Sequence, residues 1–136
     1  MEQGILLCVD DEIIVLTALK DQLRRAFGSS FHIDVAESAE EALELLDDLA
    51  IEGHELLVIV SDWLMPGMKG DEFLIKAHER FPQVLKIMLS GQADPEAVDR
   101  ARREAGLHDF MAKPWDAEAL IETITKGLAE RNSNNP

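Results

Sequence analysis

Val9-Asp10-Asp11-Glu12 decides how this chain is read. An apolar run at 5–9 stops there in consecutive acids, the form of a strand buried on both faces whose carboxyl end emerges into solvent. Three more runs end as abruptly: 56–60 in Ser61-Asp62, 86–89 in Ser90-Gly91, and 110–112 in Lys113-Pro114. In parallel sheets, ligands bind in the crevice beyond the carboxyl ends of the strands. Asp10, Asp11, Asp62, Ser90 and Lys113 are therefore expected to meet at one edge. Carboxylates gathered with a hydroxyl and an ammonium suit a hard metal ion and a phosphoryl group.

Working outward, helix-like segments separate the runs. Over 12–27, Val15, Leu16, Leu19, Leu23 and Phe27 recur at helical spacing, and Gly28-Ser29-Ser30 ends the helix. A shorter alternating strand at 31–35 belongs toward a sheet edge. Ser38 is a good N-cap, and Glu41 three residues on completes a capping-box pattern for a helix ending near Gly53. Pro66, Gly67 and Gly70 mark a loop before a helix at 71–80, and Pro82 precedes a strand at 84–89. Pro95 opens a helix to 105, a strand follows at 109–112, and Asp116 caps a last helix to about 130. Strands alternating with helices imply βαβ units and a parallel sheet covered on both faces. The expectation is one α/β domain of the (βα)₅ kind over 1–131, with a polar, frayed C-terminal tail at 132–136.

The chain has 136 residues, 46% hydrophobic and 29% charged, ordinary values for a globular protein. Lys and Arg total 13 against 27 Asp and Glu, a net charge of −14, which repels phosphate backbones and argues against direct nucleic-acid binding. No apolar stretch approaches the roughly 20 residues that span a bilayer, and the N-terminus lacks the basic and apolar regions of a signal peptide. A cytoplasmic protein with no membrane contact is expected. The single cysteine, Cys8, falls inside the first apolar run, where it reads as a small core residue. The four histidines show no metal spacing and read as surface residues.

These residues resemble the receiver domain of two-component response regulators, of the chemotaxis-receiver kind. The matching motifs are Val9-Asp10-Asp11-Glu12, the stretch from Ser61-Asp62 through Met65-Pro66-Gly67 to Gly70, Leu89-Ser90-Gly91 and Lys113-Pro114, all in the family's order. The resemblance implies a flavodoxin-like three-layer sandwich with a five-stranded parallel sheet of order 2-1-3-4-5. It implies a phosphoacceptor at Asp62, whose donor is a phosphohistidine on a sensor histidine kinase or phosphotransfer protein. Strand order 2-1-3 independently clusters Asp10, Asp11 and Asp62, and crowded carboxylates call for a cation, Mg²⁺ (or Mn²⁺). Asp11 and Asp62 are assigned as direct ligands, with Asp10 acting through water; by resemblance, the backbone carbonyl of Leu64 is a further ligand. Lys113 and Ser90 would bind the phosphoryl group. Phe110 occupies the position where receivers carry an aromatic residue that turns inward on activation, and a plain core role competes with that reading.

Ile13 and Ile14 stand in the first helical turn beside the acids, where an exposed apolar pair would suit docking of a partner's helices, with Pro114 and Trp115 extending the patch. The competing reading buries the pair under a neighbouring loop. Leu64 and Gln92 flank the site at positions that would tune hydrolysis: apolar Leu64 cannot hold an attacking water by its side chain, whereas Gln92 can. The leading function is a signalling module rather than an enzyme. The rival, a Mg²⁺-dependent phosphohydrolase, needs an acid/base aspartate two residues after its nucleophile, where this chain has Leu64; a phosphorylation-independent scaffold would not need the full residue set. The output domain or effector is left open, although Gly91-Gln92-Ala93-Asp94 and Lys113-Pro114-Trp115 resemble receivers joined to cyclic-dinucleotide phosphodiesterases. A homodimer through the last two helices and fifth strand is also left open.

Overall fold

A computed structural model describes residues 4–134. Its elements alternate as expected: β1 (Gly4–Val9), α1 (Ile13–Phe27), β2 (Phe31–Ala36), α2 (Ala39–Glu52), β3 (Leu56–Ser61), α3 (Gly70–Arg80), β4 (Leu85–Ser90), α4 (Pro95–Ala105), β5 (Asp109–Ala112) and α5 (Ala117–Asn134). All strand pairs are parallel, in the order β2-β1-β3-β4-β5. The sheet separates two cores. Ile5, Leu7 and Val9 face the core shared with α2, α3 and α4, while Leu6 and Cys8 face that of α1 and α5. This alternation is why the central strands read as unbroken apolar runs: both faces are dry. Burial pushes the Cys8 thiol up to about 12, so it is an inert packing group.

Register places the site. Val9 pairs with Ala36 on one side and Ser61 on the other, so β1 and β3 end side by side. The strands around them run one residue past the expected ends, because Ser61 and Ser90 still pair with Met88 and Ala112. Between Ile5 and Leu6 the register shifts, leaving Leu57 outside the ladder on the same core as Val58.

Ser38 caps α2 as expected, its hydroxyl accepting from the Glu41 N–H at 3.0 Å, but the Glu41 carboxylate returns to the N–H of Glu37 rather than to that of Ser38. Asp116 accepts from the Glu118 N–H at the start of α5. That helix continues past 130 to Asn134, since no glycine or proline interrupts it there; of the expected tail, 135 and 136 lie outside the described residues. The expectation of four surface histidines needs correction at His78, whose Nδ1 is buried without a hydrogen bond. Burial, and then the charge of Lys86, hold its pKa below the usual range.

Candidate functional site

Each site residue sits where a strand stops. Asp10 follows β1, Asp62 follows β3, Ser90 closes β4 and Lys113 follows β5. The backbone fixes their approach: the Asp62 N–H donates to the Val9 carbonyl (2.9 Å), and the Lys113 N–H to the Ser90 carbonyl (3.1 Å). The start of α3 is pressed against the acceptor loop, since a side chain on Gly70 would run into the Asp62 carbonyl. The far end of that loop is held from α2, where Glu40 accepts from the Met68 N–H at 3.3 Å.

At the centre, the Lys113 ammonium donates to Asp10 Oδ2 at 2.6 Å and lies 3.5 Å from Asp62 Oδ2 and 3.9 Å from Glu12. One carboxylate oxygen from each of Asp10, Asp11 and Asp62 falls within 4.8 Å of the others. Asp10 and Asp62 are buried, at 1% and 5% exposed, while Asp11 faces solvent. Burial pushes the Asp10 carboxyl above the usual range; bonds from Lys113 and the Glu12 N–H oppose that without overcoming it, and Asp62 adds to it. For Lys113, burial works against the charge, but the bond and charge of Asp10, joined by Asp62 and Glu12, outweigh it and raise its pKa.

The donor set fits a hard divalent cation. Oxygens opposite each other around one Mg²⁺ are about 4.2 Å apart, so a spread within 4.8 Å closes with a small movement or a bridging water. Both oxygens of Asp10 are already engaged, by Lys113 and by the Glu12 N–H. Asp62 is engaged as well, its Oδ1 accepting from the Trp63 N–H at 2.8 Å and its Oδ2 lying 3.5 Å from Lys113, whereas Asp11 is the exposed member of the set.

The remaining residues singled out by sequence are placed less uniformly. Ser90 is 2% exposed, and its hydroxyl accepts from the Gln92 N–H at 3.3 Å. Leu64 and Gln92 are both exposed, flanking the site. Phe110 is half-buried against the α2–α4 core. Ile13 and Ile14 are 63% and 84% exposed, which removes the reading that a loop covers them. Pro114 is exposed behind a cis Lys113-Pro114 bond. Trp115 is half-buried instead, its indole N–H donating to Gln22 of α1 at 2.8 Å, so only part of it is available to a docking patch.

Sequence reasoning missed Trp63, Asp71 and Arg100. The Trp63 backbone N–H donates to Asp62 Oδ1 at 2.8 Å, while its indole N–H donates to Asp71 Oδ1 at 3.0 Å. Asp71 Oδ2 receives Arg100 of α4 at 3.3 Å. The one signal in the sequence was an acid in the first turn of α3, a position that the helix dipole explains by itself.

Comparisons with known proteins agree with this geometry. The family described as "Response regulator receiver domain" matches residues 6–125. The hydrogenase transcriptional regulatory protein HoxA of Cupriavidus necator is 35% identical over 93% of this chain, which spans 24% of that protein. A cyclic di-GMP phosphodiesterase of Thermotoga maritima is 31% identical over 92% of this chain and 31% of its own length. The chain thus covers 24% and 31% of these curated relatives' lengths. Among solved structures, a CheY-like response regulator receiver domain protein from Methanospirillum hungatei superposes with a TM-score of 0.85 at 28% identity, covering 98% of this chain and all of that one. With its strand order, its acidic edge and these relatives in agreement, the chain belongs to the response regulator receiver domain family of two-component systems.

Proposed function

We propose that Asp62 accepts a phosphoryl group from a phosphohistidine of a sensor kinase or phosphotransfer protein. An oxygen of the Asp62 carboxylate forms a bond to phosphorus, the phosphorus–nitrogen bond breaks, and its electron pair returns to the donor imidazole. The observation that carries this reading is the placement of Lys113 against two buried carboxylates, 2.6 Å from Asp10 and 3.5 Å from Asp62. Phosphoryl transfer needs alignment and charge neutralisation more than covalent assistance. Lys113 supplies one fixed positive charge, and the Ser90 hydroxyl a donor for another phosphoryl oxygen. Mg²⁺ bound by Asp11, Asp62 and the Leu64 carbonyl, with Asp10 through water, would neutralise the remaining side. Once Asp62 carries the phosphoryl group as an acyl phosphate, Lys113 has a phosphoryl oxygen to bind, and its hold on Asp10 weakens.

Ile13 and Ile14 are the contact proposed for the donor's helices, an exposed apolar pair one turn from the acids. Phe110, on β5 between Ser90's strand and the surface, is the aromatic proposed to change packing with the site. The chain's role is signalling, and its kinase and output are not assigned by the site. Incubation with labelled acetyl phosphate and Mg²⁺ tests the core of this reading. One phosphoryl group per chain is expected, and none on Asp62→Asn. Many turnovers per chain would mean a phosphohydrolase, and no labelling of the wild type a scaffold.

A further inference from the structure

Helix α4 is lightly anchored. Its buried residues are alanines, Ala97, Ala101 and Ala105, each contributing a single methyl to the core, with the half-buried Val98 beside them. A helix held by so little apolar area depends on its polar ties for its seat. That tie is Arg100, whose guanidinium reaches across to Asp71 in the first turn of α3. The Asp71 side chain is only 12% exposed, and its other oxygen is taken by the Trp63 indole. Trp63 in turn donates its backbone N–H to Asp62. An unbroken chain of hydrogen bonds therefore runs from the acceptor carboxylate through Trp63 and Asp71 to α4.

Arg100 has a second partner, Glu104 on its own helix, at 3.2 Å from its Nε. If Asp71 shifts, the guanidinium keeps a carboxylate, so the cross-helix bond can break without stranding a charge. Two arrangements of similar energy are what a switch element needs. Lys69 packs over the Trp63 ring, its ammonium 5.0 Å from the ring centroid.

We infer that Arg100 is a positioning residue that couples the state of Asp62 to the seating of α4 through Asp71 and Trp63. The inference rests on Asp62 being the acceptor. Beryllofluoride, a non-covalent phosphoryl mimic, tests it with Mg²⁺. Bound fluoride is followed by ¹⁹F NMR, and amide hydrogen exchange over 95–105 is followed on the same samples. In the wild type, binding is expected to change α4 exchange by roughly fivefold or more, the scale of about 1 kcal/mol. In Arg100→Ala, the ¹⁹F signal persists, while the α4 response falls below about twofold. Arg100→Lys, which keeps a charge for Asp71, restores at least half of it. Asp71→Asn, which keeps an acceptor for Trp63 but not the ion pair, behaves as Arg100→Ala. An Arg100→Ala protein whose α4 is looser yet responds by the same ratio as wild type would show a merely structural role and overturn the inference. Wild-type binding with no α4 response overturns it too. Absence of bound fluoride in the wild type would fell the acceptor reading itself, a separate failure.

Discussion

At the carboxyl edge of the sheet, Lys113 sits among Asp10, Asp62 and Glu12; at the amino edge, Lys86 bonds to the Val84 carbonyl near His78 and within reach of the charge of Arg131. Lys86 is 1% exposed and has no carboxylate partner among the described residues. The two lysines share a low-dielectric setting and respond in opposite directions. Burial, and then repulsion from Arg131, lower Lys86 to about 8, whereas the acids raise Lys113 despite its burial. Partners therefore decide whether a buried ammonium is held or strained. One edge has acids in excess around its lysine; the other carries a charge that costs stability and touches no site residue.

Removing each lysine breaks that comparison most directly. Lys113→Ala is expected to slow labelling by acetyl phosphate on the order of 100-fold, the usual loss when one preorganised charge is removed. Labelling at the wild-type rate would show that the 2.6 Å contact is structural only.

Mg²⁺ sharpens the same edge. At about 100 times its dissociation constant it should stabilise the fold by about 2.7 kcal/mol in denaturant melts. Asp11→Ala should abolish that gain, since Asp11 is the exposed member of the acidic set. An unchanged gain would place the ion elsewhere.

Lys86→Met should act in the opposite sense, on stability and not on labelling. The shift from 10.5 to about 8 corresponds to roughly 3 kcal/mol, offset by about 1 kcal/mol for the lost bond to Val84. A net gain of roughly 2 kcal/mol near pH 7 follows. The sign with pH is fixed: between about 8 and 10.5 the unfolded chain binds more protons at this lysine, so wild-type stability rises across that window. In Lys86→Met that rise should disappear, which chemical denaturation at pH 7, 8, 9 and 10 would measure. A wild type no less stable at pH 7 than the variant would mean that Lys86 is better satisfied than its burial indicates.

The smallest effect belongs to the rim of the site. Leu64→Asn, which adds a group able to hold water beside the acyl phosphate, should shorten its lifetime about threefold, on the order of a kcal/mol or less of transition-state stabilisation. An unchanged rate of loss of label would remove Leu64 from any role in hydrolysis.

Much of this was legible before folding. Apolar runs bounded by polar endings located the strands because both sheet faces are buried, and Pro95, Gly28 and Ser38 marked helix ends by backbone chemistry that needs no tertiary partner. Element ends slipped by a residue or more where pairing or an uninterrupted helix carried the element onward, as at Ser61, Ser90 and Asn134. The exposure of Ile14 was left as two alternatives, because helical spacing assigns a face but not what covers it. Lys86 lay inside a run read as apolar, and only packing revealed a charge with no acid beside it.

The sequence alone determined the chemistry available: acids after β1 and β3, a hydroxyl at the end of β4 and a lysine after β5, each tied to a strand end by local patterning. Tertiary structure decided which of those groups meet. Lys113 and Asp10 lie 103 residues apart, Arg100 and Asp71 lie 29 apart, and Trp115 finds Gln22 across 93 residues. Local pattern fixes which way a side chain leaves its own element, but contact at 3 Å depends on register and helix packing, which are properties of the whole sheet.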